Sequence, residues 1–212
     1  MLRATVEGME EGGAEVEVVY LAQRDIGFCR GCFLCWGDPQ GRCALDDDMT
    51  ALLSRIVRSD LVLVATPLYV DGMPGRLKNF FDRMLPLVHP AVHLSEGRGR
   101  HPSRHERLPF LALLSVCGNY ELENFGPLVA HVQSIADNMH TLLAATLLRP
   151  TGLLLGSRNL ATPVQDVMGA LRAAGRELVT AGHVSPRTQA AVSAPLVSRE
   201  DFLVRANRWQ AG

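Results

Sequence analysis

The chain has 212 residues, of which 47% are hydrophobic, and a formal net charge of −1. That length fits one α/β domain with a sizeable core, and the near-neutral charge gives no electrostatic reason to expect a nucleic acid or an anionic membrane as a partner. The sequence has no apolar run of the roughly 20 residues that a membrane-spanning helix needs, and its first residues lack the basic-then-apolar pattern of a signal peptide. We therefore expect a single domain over residues 1–212, located in the cytoplasm.

The first predicted elements are a helix and a half-exposed strand. Leu2, Val6 and Met9 recur at helical spacing, and a pair of glycines at positions 12 and 13 then ends the helix. Over residues 15–20, Val16, Val18 and Tyr20 alternate with Glu15, Glu17 and Val19. This mostly polar–apolar alternation is typical of a strand near the edge of a sheet.

Four of the five cysteines follow in one short segment with the spacing C-x2-C-x2-C-x7-C: Cys29, Cys32, Cys35 and Cys43. Thiolates bind soft metals, and a compact cysteine run followed by a more distant cysteine is one way in which a chain holds a cubane iron–sulfur cluster. The same residues could bind zinc, although zinc sites more often consist of two separated C-x2-C pairs. They could also be reduced thiols in a packed loop. In a cytoplasmic protein the clustering favours a metal or redox role over a disulfide framework.

The remainder of the chain alternates between helices and apolar strands. Asp46 or Asp47 is expected to cap a helix whose apolar face includes Met49 and Leu52. Residues 60–67, DLVLVATP, and residues 109–116, PFLALLSV, are continuous apolar runs, typical of parallel strands covered on both faces. Further helices are predicted over residues 76–87, 127–143, 164–181 and 199–209, and a third such strand within residues 146–155. The alternation predicts a doubly wound parallel sheet in a three-layer α/β/α domain.

Ligands of such a sheet bind at the rim where the loops after the strand C-termini gather. Three segments are predicted to lie at this rim: the cysteine loop, residues 66–75 and residues 115–125. Lys78 and Arg83, on the helix that follows the second segment, are expected to be ordinary surface charges.

Residues 60–86, DLVLVATPLYVDGMPGRLKNFFDRMLP, resemble the third strand, flavin loop and following helix of the flavodoxin-like NAD(P)H-dependent FMN oxidoreductases. Residues 115–128, SVCGNYELENFGPL, are similar to the next rim loop of the same family. The cysteine spacing, together with the DDDM sequence shortly after Cys43, resembles the iron–sulfur flavoprotein branch. The resemblance covers about residues 16–209.

The resemblance implies FMN at the C-terminal ends of the strands and NAD(P)H or another carrier as electron donor, with a [4Fe–4S] cluster as one option for the cysteines. The residues that it implies for flavin binding are Thr66, Pro67, Leu68, Tyr69, Gly72, Met73, Cys117, Gly118 and Asn119. The first six would line the isoalloxazine ring, and the last three would reach its other edge. Glycines let the backbone approach a flat ring, and loop N–H groups can hydrogen-bond its nitrogens and oxygens. No side chain stands out as an acid or base, so no catalytic residue is predicted.

The chain departs from the family at its beginning. Relatives start with a strand and a Ser/Gly/Asn/Thr-rich phosphate loop, whereas this chain starts at Met1 within what resembles the next helix. The domain is therefore expected to be N-terminally truncated, which in the strand order 2-1-3-4-5 would leave backbone groups unpaired in mid-sheet. Three explanations stay open: a reading frame started too late, a strand over residues 16–20 that moves beside residues 61–66, or a second protomer that covers the space. We expect the second or third, with weakened or absent FMN binding.

The leading hypothesis is an FMN-dependent oxidoreductase or electron-transfer flavoprotein. It would move electrons between NAD(P)H or another carrier and a small acceptor such as a quinone or a flavin. The alternative is a non-enzymatic, truncated flavodoxin-like protein whose cysteines are structural or bind zinc. Relatives commonly pair through the apolar region near the rim, so the resemblance also implies a homodimer or homotetramer.

Overall fold

The computed structural model of the protein describes residues 1–95 and 97–209. The α-helices within these residues are α1 (Leu2–Glu11), α2 (Leu34–Gly37), α3 (Asp48–Arg58), α4 (Gly75–Asp82), α5 (Gly126–Asn138), α6 (Ala161–Ala181), α7 (Pro186–Ser193) and α8 (Arg199–Trp209). The strands are β1 (Leu61–Pro67), β2 (His93–Ser95), β3 (Arg98–Arg100), β4 (Phe110–Val116) and β5 (Leu143–Arg149). None of these helices is both long enough and apolar enough to cross a bilayer.

The central sheet is parallel and has the strand order β1-β4-β5. Its register pairs Leu61 with Phe110 at one end of β1 and β4, and Pro67 with Val116 at the other. The two apolar runs of the sequence are therefore neighbouring strands that end at the same level. Strands β2 and β3 form a separate antiparallel hairpin.

Helices cover both faces of this sheet, as the apolar runs predicted. Leu111 and Leu113 of β4 pack into a core shared with α3, α4 and α5. Ala112 and Leu114 point the other way, because successive strand residues alternate between faces, and they join a core built with α6 and α7. This arrangement confirms the predicted parallel sheet in a three-layer α/β/α domain.

Helix α1 packs against α6 through two glycines. A Cβ atom on Gly8 would overlap the carbonyl oxygen of Arg172, and one on Gly175 would overlap the carbonyl oxygen of Thr5. The two helix backbones therefore approach more closely than any larger residue would allow at these positions.

The predicted strand over residues 16–20 is wrong. This segment forms no strand, and in the part of the chain that the structure describes β1 has β4 as its sheet neighbour. Val19 packs against the core, whereas Val18 and Tyr20 are exposed. Alternation alone does not make a strand without a partner for its backbone, so the explanation in which this segment moves beside β1 is also wrong.

Three other boundaries differ from the prediction. Strand β5 already starts at Leu143, before the predicted residues 146–155, and it ends at Arg149 because Pro150 cannot donate to a ladder. The helix after β1 stops at Asp82, and a 3-10 turn over Leu85–Leu87 that contains Pro86 follows it. Helix α5 ends at Asn138 rather than at position 143, which belongs to β5.

Candidate cofactor site

The predicted flavin loops leave the sheet side by side. Thr66 of β1 pairs in register with Ser115 of β4, and the Leu68 amide then donates to the Val116 carbonyl at 2.8 Å. The structure thus brings residues 66–73 next to residues 117–119 at the C-terminal ends of two parallel strands. Ligands of open α/β sheets bind at such an edge.

A tight turn shapes the first of these loops. The amides of Tyr69 and Gly72 each donate to the other's carbonyl, at 3.0 and 3.1 Å. The two residues between them have positive φ, 46° for Val70 and 59° for Asp71, as in a type I′ turn. Positive φ is strained for a β-branched residue, and such strain concentrates at functional sites. Tyr69 is 62% exposed and Val70 is 100% exposed, so the turn offers an aromatic and an apolar side chain on an open surface.

The loop after β4 is held by the loop after β5. The Cys117 amide donates to the Arg149 carbonyl at 3.1 Å, and the Asn119 carbonyl accepts from Thr151 at 2.8 Å. Among the described residues, the Gly118 amide donates to no acceptor. A Cβ atom on Gly118 would meet only Leu153, at 4.0 Å. This loop therefore presents a free N–H donor beside open space, which suits the polar edge of a flavin ring.

Cys117 is buried beside this donor. Burial raises the pKa of its thiol, and its sulfur donates to the Asn119 carbonyl at 3.5 Å. A neutral, buried thiol is a poor nucleophile, so Cys117 fills space in this loop.

The other four cysteines surround one cavity of about 110 Å³. Cys29 and Cys32 are exposed, Cys35 is buried and Cys43 is half-buried. Burial raises the pKa of Cys35, and the neighbouring thiols Cys43, Cys32 and Cys29 raise it further. Left-handed backbone at position 31, a glycine, and at position 33 turns the chain between successive cysteines. The structure thus places the four predicted cysteines around one cavity, and the metal centre that they would hold stays a prediction.

The donor set of this cavity is four thiols, which could bind either zinc or an iron–sulfur cluster. Within the described ranges, no three His, Cys, Asp or Glu side chains are arranged to hold one metal ion. A zinc ion would draw its sulfurs to about 2.3 Å from one point. In a cubane each cysteine binds a different iron, so the sulfurs stand farther apart around a shared volume.

Arg83 is not a surface charge, contrary to the prediction from sequence. It is 2% exposed and lines the cysteine cavity. Its Nη1 and Nη2 donate to the two carboxylate oxygens of Asp47 at 2.6 and 2.9 Å, and Nη1 also donates to the Gly27 carbonyl at 2.7 Å. Its place three residues after Phe80, in line with the apolar face of α4 and just past its last residue, was the signal in the sequence that could have predicted its burial.

Asp47 caps α3, as predicted, and it also binds the Gly27 amide and Arg83. Its side chain accepts from the Met49 amide at 3.0 Å, which caps α3, and from the Gly27 amide at 2.9 Å. Burial on its own would raise the pKa of Asp47, but the hydrogen bonds from Arg83, Gly27 and Met49 outweigh burial and hold that pKa below its usual value. Burial on its own would likewise lower the pKa of Arg83, and Asp47 and Cys43 together raise it.

A second arginine braces the cysteine loop from outside the cavity. Arg104 donates to the carbonyls of Cys35 at 3.4 Å, Pro39 at 3.2 Å and Val88 at 3.2 Å. The Trp36 indole adds a bond to the Leu85 carbonyl at 3.4 Å. The loop is thus tied to the chain around Leu85–Leu87 by protein contacts alone.

Helix α4 links the two predicted centres. It begins at Gly75, just after the Tyr69 turn, and its last residue, Asp82, lines the cysteine cavity. Eight helical residues span about 12 Å. The cavity therefore lies at the far end of α4 from the flavin loops.

Comparison with known proteins identifies the family of this chain. Residues 1–118 match the family model of NADPH-dependent FMN reductases. The chain belongs to this family. It is 38% identical over 89 residues to an iron–sulfur flavoprotein from Archaeoglobus fulgidus, a match that covers 42% of this chain and 40% of the relative. It is 29% identical over 140 residues to an iron–sulfur flavoprotein from Methanosarcina thermophila, covering 66% and 64%. The matches thus span well under half to just under two thirds of these relatives.

Solved structures confirm the flavodoxin-like fold of this family member. An FMN-dependent NADH-azoreductase from Bacillus anthracis superposes with a TM-score of 0.60 at 12% identity, covering 84% of this chain and 89% of the other. An NAD(P)H:quinone oxidoreductase from Methanothermobacter marburgensis gives a TM-score of 0.57 at 21% identity, covering 84% and 86%.

Proposed function

We propose that this chain is an FMN-dependent oxidoreductase that moves electrons between NAD(P)H, or another carrier, and a small acceptor such as a quinone or a flavin. We further propose that Cys29, Cys32, Cys35 and Cys43 hold a [4Fe–4S] cluster. The observation that carries both proposals is that these four cysteines surround one cavity at the end of the helix that begins beside the flavin loops. Bound FMN would supply the chemistry, since a flavin accepts a hydride and can pass electrons on singly or in pairs.

The chain's own residues would position the flavin. The strained Tyr69 turn would place an aromatic face and the open backbone of Gly72 against the ring, with Thr66, Pro67, Leu68 and Met73 completing that side. The free amide of Gly118 would donate to the ring's polar edge from the other loop, with Asn119 beside it and Cys117 filling space behind them. Hydrogen bonds of this kind tune a flavin's potential. No side chain near these loops is assigned as an acid or base.

The cysteine loop would hold its cluster against the outer part of the molecule. Cys29 and Cys32 are exposed, whereas Cys35 and Cys43 lie deeper, so the centre would have one face toward solvent. That position suits exchange of electrons with a partner from outside as well as with the flavin. We also propose a cytoplasmic location, where thiols remain reduced, and a homodimer or homotetramer, which light scattering of the purified protein would test.

The direct test is anaerobic reconstitution with FMN, iron and sulfide. We expect about four irons, four sulfides and one FMN per chain, with flavin bands in the blue and near ultraviolet and a broad brown absorption from the cluster. The Cys43→Ser variant should lose most of its iron. Cys117→Ala is the matched control, since this fifth cysteine lies outside the cavity, and should keep its iron. The expectation of weak FMN binding stays a prediction that the FMN affinity measured here would test.

Two results would contradict the proposal. A colourless protein that takes up one zinc per chain and no iron would favour the non-enzymatic alternative, in which the cysteines are structural or bind zinc. Equal iron contents in Cys43→Ser and Cys117→Ala would show that the four-cysteine cavity is not the iron site.

A further inference from the structure

We propose that Arg83 is a positioning residue whose fixed positive charge stabilises the anionic centre that the four cysteines form with bound metal. This inference rests on the proposed metal-binding role of the cysteines. Its starting point is that Arg83 is almost fully buried and yet lines the cysteine cavity. A buried arginine needs a partner that compensates its charge, and its only carboxylate partner among the described residues, Asp47, explains just part of its surroundings.

The Arg83 guanidinium is fixed in place. The two carboxylate oxygens of Asp47 accept two parallel hydrogen bonds from it, and the Gly27 carbonyl accepts a third. Asp47 is itself held by the amides of Gly27 and Met49. A planar guanidinium bound in this bidentate way cannot turn aside without losing several bonds. The positive charge therefore stays at the wall of the cavity.

One nitrogen of Arg83 lacks a partner. Its Nε is buried and, within the described structure, makes no hydrogen bond. A buried N–H without an acceptor is costly, and thiolate sulfur is an acceptor that the cavity offers. Asp47 is not among the residues that line the cavity. A metal centre bound in the cavity would therefore lie next to the Arg83 guanidinium rather than next to the Asp47 carboxylate.

The two other charged residues that line the cavity are placed differently. Arg30 is exposed, and Asp82 pairs with Lys78 on the outer side of α4. Arg83 is thus the buried charge of the cavity wall. Charges next to an iron–sulfur centre, and hydrogen bonds to its sulfurs, set its reduction potential. A fixed cation favours the more negative, reduced state and so raises that potential, and it also favours binding of any divalent ion by four thiolates.

Three variants separate the effect of the Arg83 charge from the effect of the hydrogen bonds that hold the cysteine loop in place. Arg83→Lys keeps the charge but not the planar fork. The double variant Asp47→Asn/Arg83→Gln removes the cation without leaving a buried carboxylate unpaired. Arg104→Gln is the matched control, because Arg104 also braces the loop through the Cys35 carbonyl but does not line the cavity. Two quantities are measured: the affinity of the metal-free protein for Co²⁺, from the thiolate-to-cobalt absorption, and the midpoint potential of the reconstituted cluster.

We expect the double variant to bind Co²⁺ at least tenfold more weakly and to have a tenfold lower equilibrium constant for one-electron reduction, which is about 59 mV. Arg83→Lys should retain most of the wild-type Co²⁺ affinity and a midpoint potential close to that of the wild type. Arg104→Gln should leave the midpoint potential unchanged. A double variant with wild-type affinity and potential would overturn the role of Arg83, as would an Arg104→Gln variant that shifts the potential equally.

The same experiment distinguishes this inference from the proposed cluster. A wild-type protein that binds Co²⁺ but assembles no iron–sulfur cluster would refute the cluster, and the Co²⁺ affinities would still decide the role of Arg83. A protein that binds neither Co²⁺ nor iron would overturn both.

Discussion

At the scale of single residues, Asp47 joins three parts of the structure. It caps α3, binds the Gly27 amide and pairs with the buried Arg83. The sequence predicted the cap, because Asp before an amphipathic helix is a strong local signal. It could not predict the ion pair, because that contact joins residues 36 positions apart and depends on how α4 packs.

We expect Asp47→Asn to lower the free energy of unfolding at neutral pH by about 3 kcal/mol, because it leaves the Arg83 cation buried without its counter-ion. Urea denaturation measures this loss. Asp60→Asn is the control, since Asp60 pairs with Arg107 at the surface, and it should change the free energy of unfolding by less than about 0.5 kcal/mol. Equal effects of the two variants would contradict the importance of the buried pair.

The same residue gives a pH dependence of defined sign. The pKa of Asp47 in the folded protein lies below the ordinary value of 3.8. A carboxyl group with a lowered folded pKa contributes stability that is fully present above its unfolded pKa and is lost as the pH falls through the folded value. The difference in free energy of unfolding between the wild type and Asp47→Asn should therefore be constant above about pH 5 and shrink as the pH falls below 4.

At the scale of elements, the contact between α1 and α6 depends on glycine. Gly175→Ala should lower the free energy of unfolding by about 1–3 kcal/mol, because its Cβ would overlap the Thr5 backbone. Gly169→Ala, in the same helix, is the matched control. A Cβ there meets nothing within 4 Å, so this change should be neutral or should stabilise the helix by up to about 1 kcal/mol. Thermal unfolding compares the two, and a stabilised Gly175→Ala variant would show that the helices are not in close contact.

The elements that the sequence predicted well are the continuous apolar strands. Strands β1 and β4 lie within a residue of their predicted limits, because a strand covered on both faces must be apolar throughout. The strand predicted over residues 16–20 is absent, because polar–apolar alternation shows which side chains are exposed but not whether the backbone has a neighbouring strand to pair with. The burial of Arg83 depends on Asp47 and Gly27, which are distant in sequence. The end of β5 depends on a single residue, Pro150.

At the scale of the whole molecule, one parallel sheet positions the two predicted flavin loops, and α4, a helix about 12 Å long, runs from the end of the first loop to the cysteine cavity. The fold and the family are established by this architecture and by the family match. The candidate site residues were found from sequence as separate segments, and the structure places the two flavin loops together and the cysteines around one cavity. The role of α4 as the connection between them required the fold.

The proposed function requires that the two centres exchange electrons within one chain. An anaerobic titration of the reconstituted protein with NADPH, followed by absorption, tests this transfer. We expect both the flavin bands and the brown cluster absorption to bleach, and only the flavin bands to bleach in Cys43→Ser. A wild-type cluster that dithionite bleaches, but that stays oxidised after NADPH has fully reduced the flavin, would show that no electrons pass between the two centres.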